Sequence, residues 1–440
     1  MIWRNYRYVN IIIKMAFDII VIGCGLSGLY AGTLAARRGK KVLLLARGVG
    51  STHIGAGTID VVNGDKPTLS PLTRSKSHPY GIIGSQTLKD AIENFKTICA
   101  EHSYPLHGEV GKNFKLPTAV GSTRHACLIP LTMLAGDLSR KDDFAFANIH
   151  GFRDFSAALA ASNLQPHSAS LRGQASPITN YQLQVIDLHL PSTPFHRDSY
   201  ATDLAHLFDK PDYRAEVITL WKPWLKDSPK RIGIPAILGL DHSLEAKQHL
   251  ESELGIELFE IPILPPSVPG MRLFNLLRDD FQNHGGRFII GPTVTGKIEG
   301  GRVVSASADM NGHVKEYKAE QYILACGGFL NGGLVGEMDG TVRESIFNLP
   351  IASDRPEGFR KPFGSRSEWT NEVFLAPHPY AKFGVNVDKS LRPIDTNSKV
   401  IAENLFAVGS VLAGADRVSE GSREGIELGS AYRVTEGSYA

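Results

Sequence analysis

Between the apolar run FDIIVI at residues 17–22 and a helical stretch reaching Arg38, the chain carries Gly23-x-Gly25-x-x-Gly28. A Gly-Lys-Lys turn then leads into a second apolar run from Val42 to Leu45, which completes a strand, helix, strand unit of about thirty residues. Near-continuous apolar strands of this kind belong to a parallel sheet covered on both faces. The glycines have separate tasks: the first makes the tight turn, the second lets backbone approach a phosphate, and the third lets helix pack on strand. Backbone N–H groups and the positive end of the helix dipole then face the anion. Gly23, Gly25, Leu26, Ser27 and Gly28 are therefore expected to bind the phosphate of a nucleotide or flavin.

In a dinucleotide site the second strand ends in an acid that hydrogen-bonds the adenosine ribose. Here the strand runs into Ala46-Arg47-Gly48, without a carboxylate. Either an adenosine half is held differently or the cofactor has none. Arg47 is expected to reach a phosphate, its alternative being a solvated arginine at a strand end.

Two later segments separate flavin from nicotinamide. YILACGGF ends a strand in a turn containing Gly327, and NLFAVGSVLAG ends one in Gly409-Ser410, where backbone amides and a hydroxyl can meet a ribityl chain or phosphate. The following EGSREGIELGSAY predicts a helix starting near Ser422, with its N-terminus toward the flavin pyrimidine edge. Singly, such glycines can serve only close packing of sheet on helix; the three segments in this order point to flavin.

The rest of the chain narrows the class. With 47 Lys and Arg against 45 Asp and Glu, the net charge of +2 excludes a strongly basic nucleic-acid binder. Cys24, Cys99, Cys127 and Cys326 form no C-x-x-C pair, so neither an iron–sulfur cluster nor a structural zinc site is expected; they read as small buried residues. No apolar run reaches the ~18–20 residues that cross a bilayer. The opening MIWRNYRYVNIIIK lacks signal-peptide organisation, and Met15 is expected to be the true start. The fold expected is α/β: a discontinuous Rossmann-like flavin-binding domain with an inserted α+β second domain. The flavin-binding parts are 15–75, 266–335 and 401–440, and the second domain is 76–265 with a return at 336–400. A helix is expected over Met271–His284, then short strands joined by glycine or Asn-Gly turns. Pro-rich PTLSPLTRSKSHPYG and PSTPFHRDSY read as loops.

Longer stretches add a family. THIGAGTIDVV, SHPYGIIG, LPPSVPGMRLFNLLRDDF, GGLVGEMDGTVRESIFNLPI, EWTNEVFLAPHPYAKFGVNVDKSLRPI and ENLFAVGSVLAG together resemble the B subunits of anaerobic glycerol-3-phosphate dehydrogenases. The resemblance covers most of the chain from Met15 and is weakest over about 140–255. It departs at the C-terminus, where the family has a glycine-rich turn and a longer apolar helix, and this chain has GSREGIELGSAYRVTEGSYA.

The resemblance implies a two-domain flavoprotein of the fumarate reductase and succinate dehydrogenase type, with FMN as cofactor and FAD as the alternative. It implies an FAD-bearing catalytic partner and an iron–sulfur subunit that docks the complex at the inner face of the cell membrane. The reaction implied is sn-glycerol 3-phosphate to dihydroxyacetone phosphate by hydride transfer, with electrons passed toward quinone. A phosphate-bearing alcohol needs cations and a base, for which Arg343, His378 and Arg392 in the matching blocks and His53 near the flavin are the catalytic candidates. For each, bracing a loop is the competing role. Two other functions stay open: a scaffold that keeps the fold without catalysis, favoured by Ala46 and Ser410 where the wider superfamily places acids, and a flavin enzyme for another hydroxy or dicarboxylic acid.

Overall fold

The computed structural model describes residues 17–165, 182–191, 199–338, 340–352, 369–374 and 376–437. Met15 and most of the segment PSTPFHRDSY, expected as a loop, lie outside them; the other Pro-rich stretch, expected as a loop, forms the short helix Ser70–Arg74 and leads into the short helix Pro79–Ile83, each with proline in its first turn.

The first apolar run forms strand β1 (Phe17–Ile22), the glycine loop leads into helix α1 (Leu26–Arg37), and the second run forms strand β2 (Val42–Ala46). Ile19 to Ile22 are almost completely buried because β1 has a parallel neighbour on each side: Ile22 stands opposite Leu45 of β2 and Leu324 of the strand Ala319–Leu324. The full sheet has five parallel strands, ordered Arg287–Ile290, β2, β1, Ala319–Leu324 and Leu405–Ala407. Three separated stretches of sequence thus meet in one sheet, as expected of a discontinuous flavin-binding domain.

Helix α1 is buried along eleven residues, from Leu26 to Ala36. It packs against the helix Val268–Asn283 and the C-terminal helix Arg423–Gly437. At Gly32 a methyl group would come within 3.3 Å of the Phe281 ring, so the small residue sets how close the helices lie. In the last turn of α1, Arg37 is fastened to Asp280 at 2.6 Å.

The helix expected at 271–284 begins earlier, at Val268, because the Ser267 hydroxyl caps it by accepting from the Gly270 N–H and Pro269 occupies its first turn. The expected short strands follow as the three-stranded antiparallel ribbon Thr293–Glu299, Arg302–Met310 and His313–Tyr317. Asn311 and Gly312 both take positive φ, 53° and 88°, as a two-residue hairpin turn requires.

The inserted segment contains small antiparallel ribbons and a parallel sheet of four strands, ordered Glu257–Ile261, Arg231–Pro235, Phe144–Ile149 and Leu183–Leu188. This sheet has its own apolar core, built on Phe144, Phe146, Phe208, Trp221 and Phe259. Leu88, Ile92 and Phe95 of the helix Ser85–Glu101 belong instead to the core of the first sheet, as do Leu349, Ile351, Phe383, Val385 and Leu391.

Candidate cofactor site

A cavity of about 500 Å³ opens where β1, β2 and Ala319–Leu324 end, lined there by Ile22, Leu45, Ala46 and Ala325. Crevices at the carboxyl ends of parallel strands are where such sheets bind ligands. The glycine loop forms one wall. Gly23 takes φ +112°, and a methyl group on it would sit 2.2 Å from the Ala325 carbonyl oxygen. A methyl on Gly28 would sit 2.0 Å from the Gly23 oxygen. At Gly25 a methyl would meet nothing within 4 Å, so the middle glycine faces open space. The first turn of α1 carries neither a side-chain cap nor an acid. Its amide donors are left for an anion in the cavity.

Gly23, Gly25, Ser27, Arg47, Gly327 and Ser410 all line this cavity. Leu26 and Gly28 flank them in the first turn of α1, and Gly409 precedes Ser410 with φ +74°. A methyl on Gly409 would lie 2.3 Å from the Ser27 hydroxyl oxygen, so this glycine lets two walls close on each other. Ala46 ends β2 at the cavity edge, and among the described residues no carboxylate lines the site on that side. The helix foreseen near Ser422 begins at Arg423.

The four substrate candidates are outside this lining. Arg343 pairs with Glu337 at 2.8 Å on a short hairpin. The His378 ring accepts from the Asn371 N–H at 2.9 Å and donates to the Phe374 oxygen at 2.8 Å, bracing its own loop. Arg392 is held by Asp388 at 2.8 Å and also pairs with Glu403. His53 meets the Phe274 ring edge-on at 5.4 Å, and burial, aided by Arg278, lowers its pKa.

Sequence reasoning missed Glu427, Ser51, Asn331 and Ser345, all in the lining. Glu427 is the most informative. Its carboxyl accepts a hydrogen bond from Ser410 Oγ at 2.9 Å, and burial pushes its pKa up. No local sequence signal marks it: only in the structure does Ser430, three residues on, accept the Gly409 N–H at 2.9 Å and show that 427 and 430 share the inward face. Of the two cavity cysteines, both expected to be small buried residues, Cys24 is buried and Cys326 only partly so. Cys24 donates to the Gly48 oxygen at 2.7 Å and burial pushes its thiol up to about 12, while burial and nearby Glu344 raise Cys326.

The inserted sheet presents a contrasting turn. The N–H groups of Leu240, Asp241 and His242 converge on the Asp209 carboxylate at 3.0, 3.2 and 2.9 Å. An internal anion fills that nest, whereas no described side chain fills the cradle at Gly25.

The family described as FAD binding domain matches residues 18–426. The B subunit of the anaerobic glycerol-3-phosphate dehydrogenase of Yersinia pseudotuberculosis is 31% identical over 442 residues, covering 96% of this chain and 98% of that protein. The chain belongs to this family of FAD-binding flavoproteins. The corresponding B subunit of Actinobacillus pleuropneumoniae is 29% identical over 448 residues, with 96% and 99% covered. Among solved structures, a 3-ketosteroid delta1-dehydrogenase from Sterolibacterium denitrificans aligns over 96% of this chain and 99% of its own at 12% identity, with a TM-score of 0.42. As a family member the chain is a flavoprotein of the oxidoreductase class, and its glycine loop and the turns at Gly327 and Gly409 fit a flavin on donor chemistry alone. No helix among the described residues is long and apolar enough to cross a membrane.

Proposed function

We propose that this chain is the flavin-bearing B subunit of a glycerol-3-phosphate dehydrogenase, with FMN in the cavity at Gly25 and FAD as the alternative. Its partners in that reading are an FAD-bearing catalytic subunit and an iron–sulfur subunit that holds the complex at the inner face of the cell membrane and leads electrons to quinone. The observation that carries it is the open cradle at Gly25, facing an uncapped helix N-terminus within a chain that aligns end to end with B subunits. Ala46 supports FMN, because the strand end offers no carboxylate to an adenosine ribose.

A bound flavin supplies a two-electron acceptor for hydride from an alcohol carbon. The chain's own groups do the holding. Amides of Leu26 and Ser27 would donate to the phosphate and the guanidinium of Arg47 would balance its charge, while Ser27 and Ser410 would offer hydroxyls. Burial keeps the thiols of Cys24 and Cys326 protonated.

Arg343, His378 and Arg392 bind their own loops, which favours a second reading: substrate is oxidised on the partner and this subunit holds a relay flavin or acts as a scaffold. The flavin absorbance bands of the purified chain, with chromatography of the released cofactor, test the first statement. Anaerobic addition of glycerol 3-phosphate then separates the readings. Bleaching of the isolated chain supports oxidation here; bleaching only with the partner present supports relay; a colourless chain that takes up no flavin supports the scaffold.

A further inference from the structure

Glu427 is the one carboxyl among the described residues that line the cavity. It stands on the second turn of the C-terminal helix and is 6% exposed. Oε1 accepts from Ser410 Oγ at 2.9 Å, and no described residue hydrogen-bonds Oε2. A methyl built on Gly409 would lie 3.5 Å from Glu427 Cγ and 2.3 Å from Ser27 Oγ, so the carboxyl sits beside the wall that α1 and Ser410 share. Arg417 and Arg423 attract it and Glu424 repels it, yet burial prevails and favours the neutral acid, which can donate as well as accept.

A buried carboxyl with an open oxygen costs stability unless something completes its hydrogen bonds. No described residue does so, and the cavity side is where a partner can stand. A polyol hydroxyl can complete the set, since it can accept from the neutral acid or donate to it, while a phosphate has the amides of the glycine loop and Arg47 elsewhere in the cavity.

From this we infer that Glu427, together with Ser410, is a cofactor-binding residue that hydrogen-bonds the hydroxyls of the flavin's polyol chain. The inference rests on the flavin reading above. It makes the departure at GSREGIEL part of the binding site: the C-terminal helix supplies a carboxyl to a cavity whose strand ends supply none.

The test is titration of apo full-length chain with FMN and with lumiflavin, which has the ring without the polyol, followed by flavin fluorescence. Glu427→Leu is expected to weaken FMN about tenfold or more, the loss of one hydrogen bond to a buried polar group, and to leave lumiflavin unchanged. Glu427→Gln keeps hydrogen-bonding atoms and is expected to recover most of the FMN affinity. Glu427→Ala, with the thermal midpoint as a check on folding, replaces the leucine variant if that one does not fold. Unchanged FMN affinity in folded Glu427→Leu or Glu427→Ala overturns the inference, as does equal weakening of FMN and lumiflavin. A wild-type chain that binds neither FMN nor FAD defeats the flavin reading itself and this inference with it.

Discussion

Arg272 holds Glu260 by two parallel bonds, Nη1 to Oε2 at 2.6 Å and Nη2 to Oε1 at 2.8 Å, with both side chains almost wholly buried. Arg272 belongs to the helix packed on α1, and Glu260 to the edge strand of the inserted sheet. The same arginine donates to the Gly239 oxygen at 2.8 Å, and the same carboxylate accepts the Leu238 N–H at 2.8 Å. The joint between the two sheets is therefore a closed polar network, with charge against charge where both are removed from water.

Arg272→Met leaves the Glu260 charge buried without its partner and is expected to cost about 3–5 kcal/mol. The double variant Arg272→Met, Glu260→Leu is expected to recover much of this, since a buried pair replaced by apolar groups is near neutral. Urea denaturation of the three proteins measures it. A single variant that costs less than about 1 kcal/mol, the ordinary worth of a surface pair, would mean that water reaches the network.

Gly25→Val should remove flavin binding and spare the fold. The backbone there has φ −67°, which valine adopts, and the added side chain projects into open cavity. Gly28→Ala should do the reverse of sparing: its methyl meets the Gly23 oxygen at 2.0 Å, so the loop must distort and thermal stability must fall. Folded Gly25→Val protein with full flavin occupancy would refute the assignment of the loop.

Apo-protein is expected to bind FMN at least as tightly as FAD. Without a carboxylate at the end of β2, an adenosine ribose lacks a charge-assisted partner worth roughly 1.5–3 kcal/mol, one to two decades in affinity. Ala46→Glu should shift the preference toward FAD. Parallel titrations of both flavins decide it, and a strong wild-type preference for FAD that the substitution leaves unchanged would place adenosine recognition elsewhere.

Asp60 predicts how stability varies with pH. Burial and neighbouring Glu424 push its carboxyl up to about 7, although Arg124 at 2.6 Å and the Thr58 hydroxyl oppose the rise. The folded chain keeps this proton while the unfolded chain releases it near 3.8. Stability contributed by the neutral acid is complete below the lower value and is lost as pH rises toward the upper one. Asp60→Asn cannot ionise, so its stability relative to wild type should increase between pH 4 and pH 8. Urea midpoints for both proteins across that range give the answer, and parallel curves would contradict it.

The flavin sheet was legible because its signals are local. FDIIVI and the three glycines fix a strand, a turn and a helix within a few residues of each other, and the turns at Gly327 and Gly409 repeat the pattern. The substrate candidates were harder, since an arginine beside turn residues reads the same whether it awaits a phosphate or pairs with a neighbour. Arg392 became interpretable only when Asp388 and Glu403 were found around it. Glu427 escaped notice for a related reason: a helical sequence does not say which acid is turned inward until its neighbours Ser410 and Gly409, some seventeen residues earlier, are in place.

The strand order also sets a timetable for biosynthesis. β1 and β2 emerge early from the ribosome, yet the strands that complete their sheet end at Leu324 and Ala407. At about 5–20 residues per second, tens of seconds separate them. The four-stranded sheet of the inserted segment closes at Ile261, well before the first does. The apolar faces of β1, β2 and α1 must therefore wait, open to chaperones or to wrong partners, while a younger neighbour is already folded. Hydrogen-exchange labelling of stalled nascent chains ending near residue 300 should find the amides of 231–261 protected and those of 17–22 exchanging; early protection of β1 would mean that pairing with β2 orders it before Ala319–Leu324 arrives.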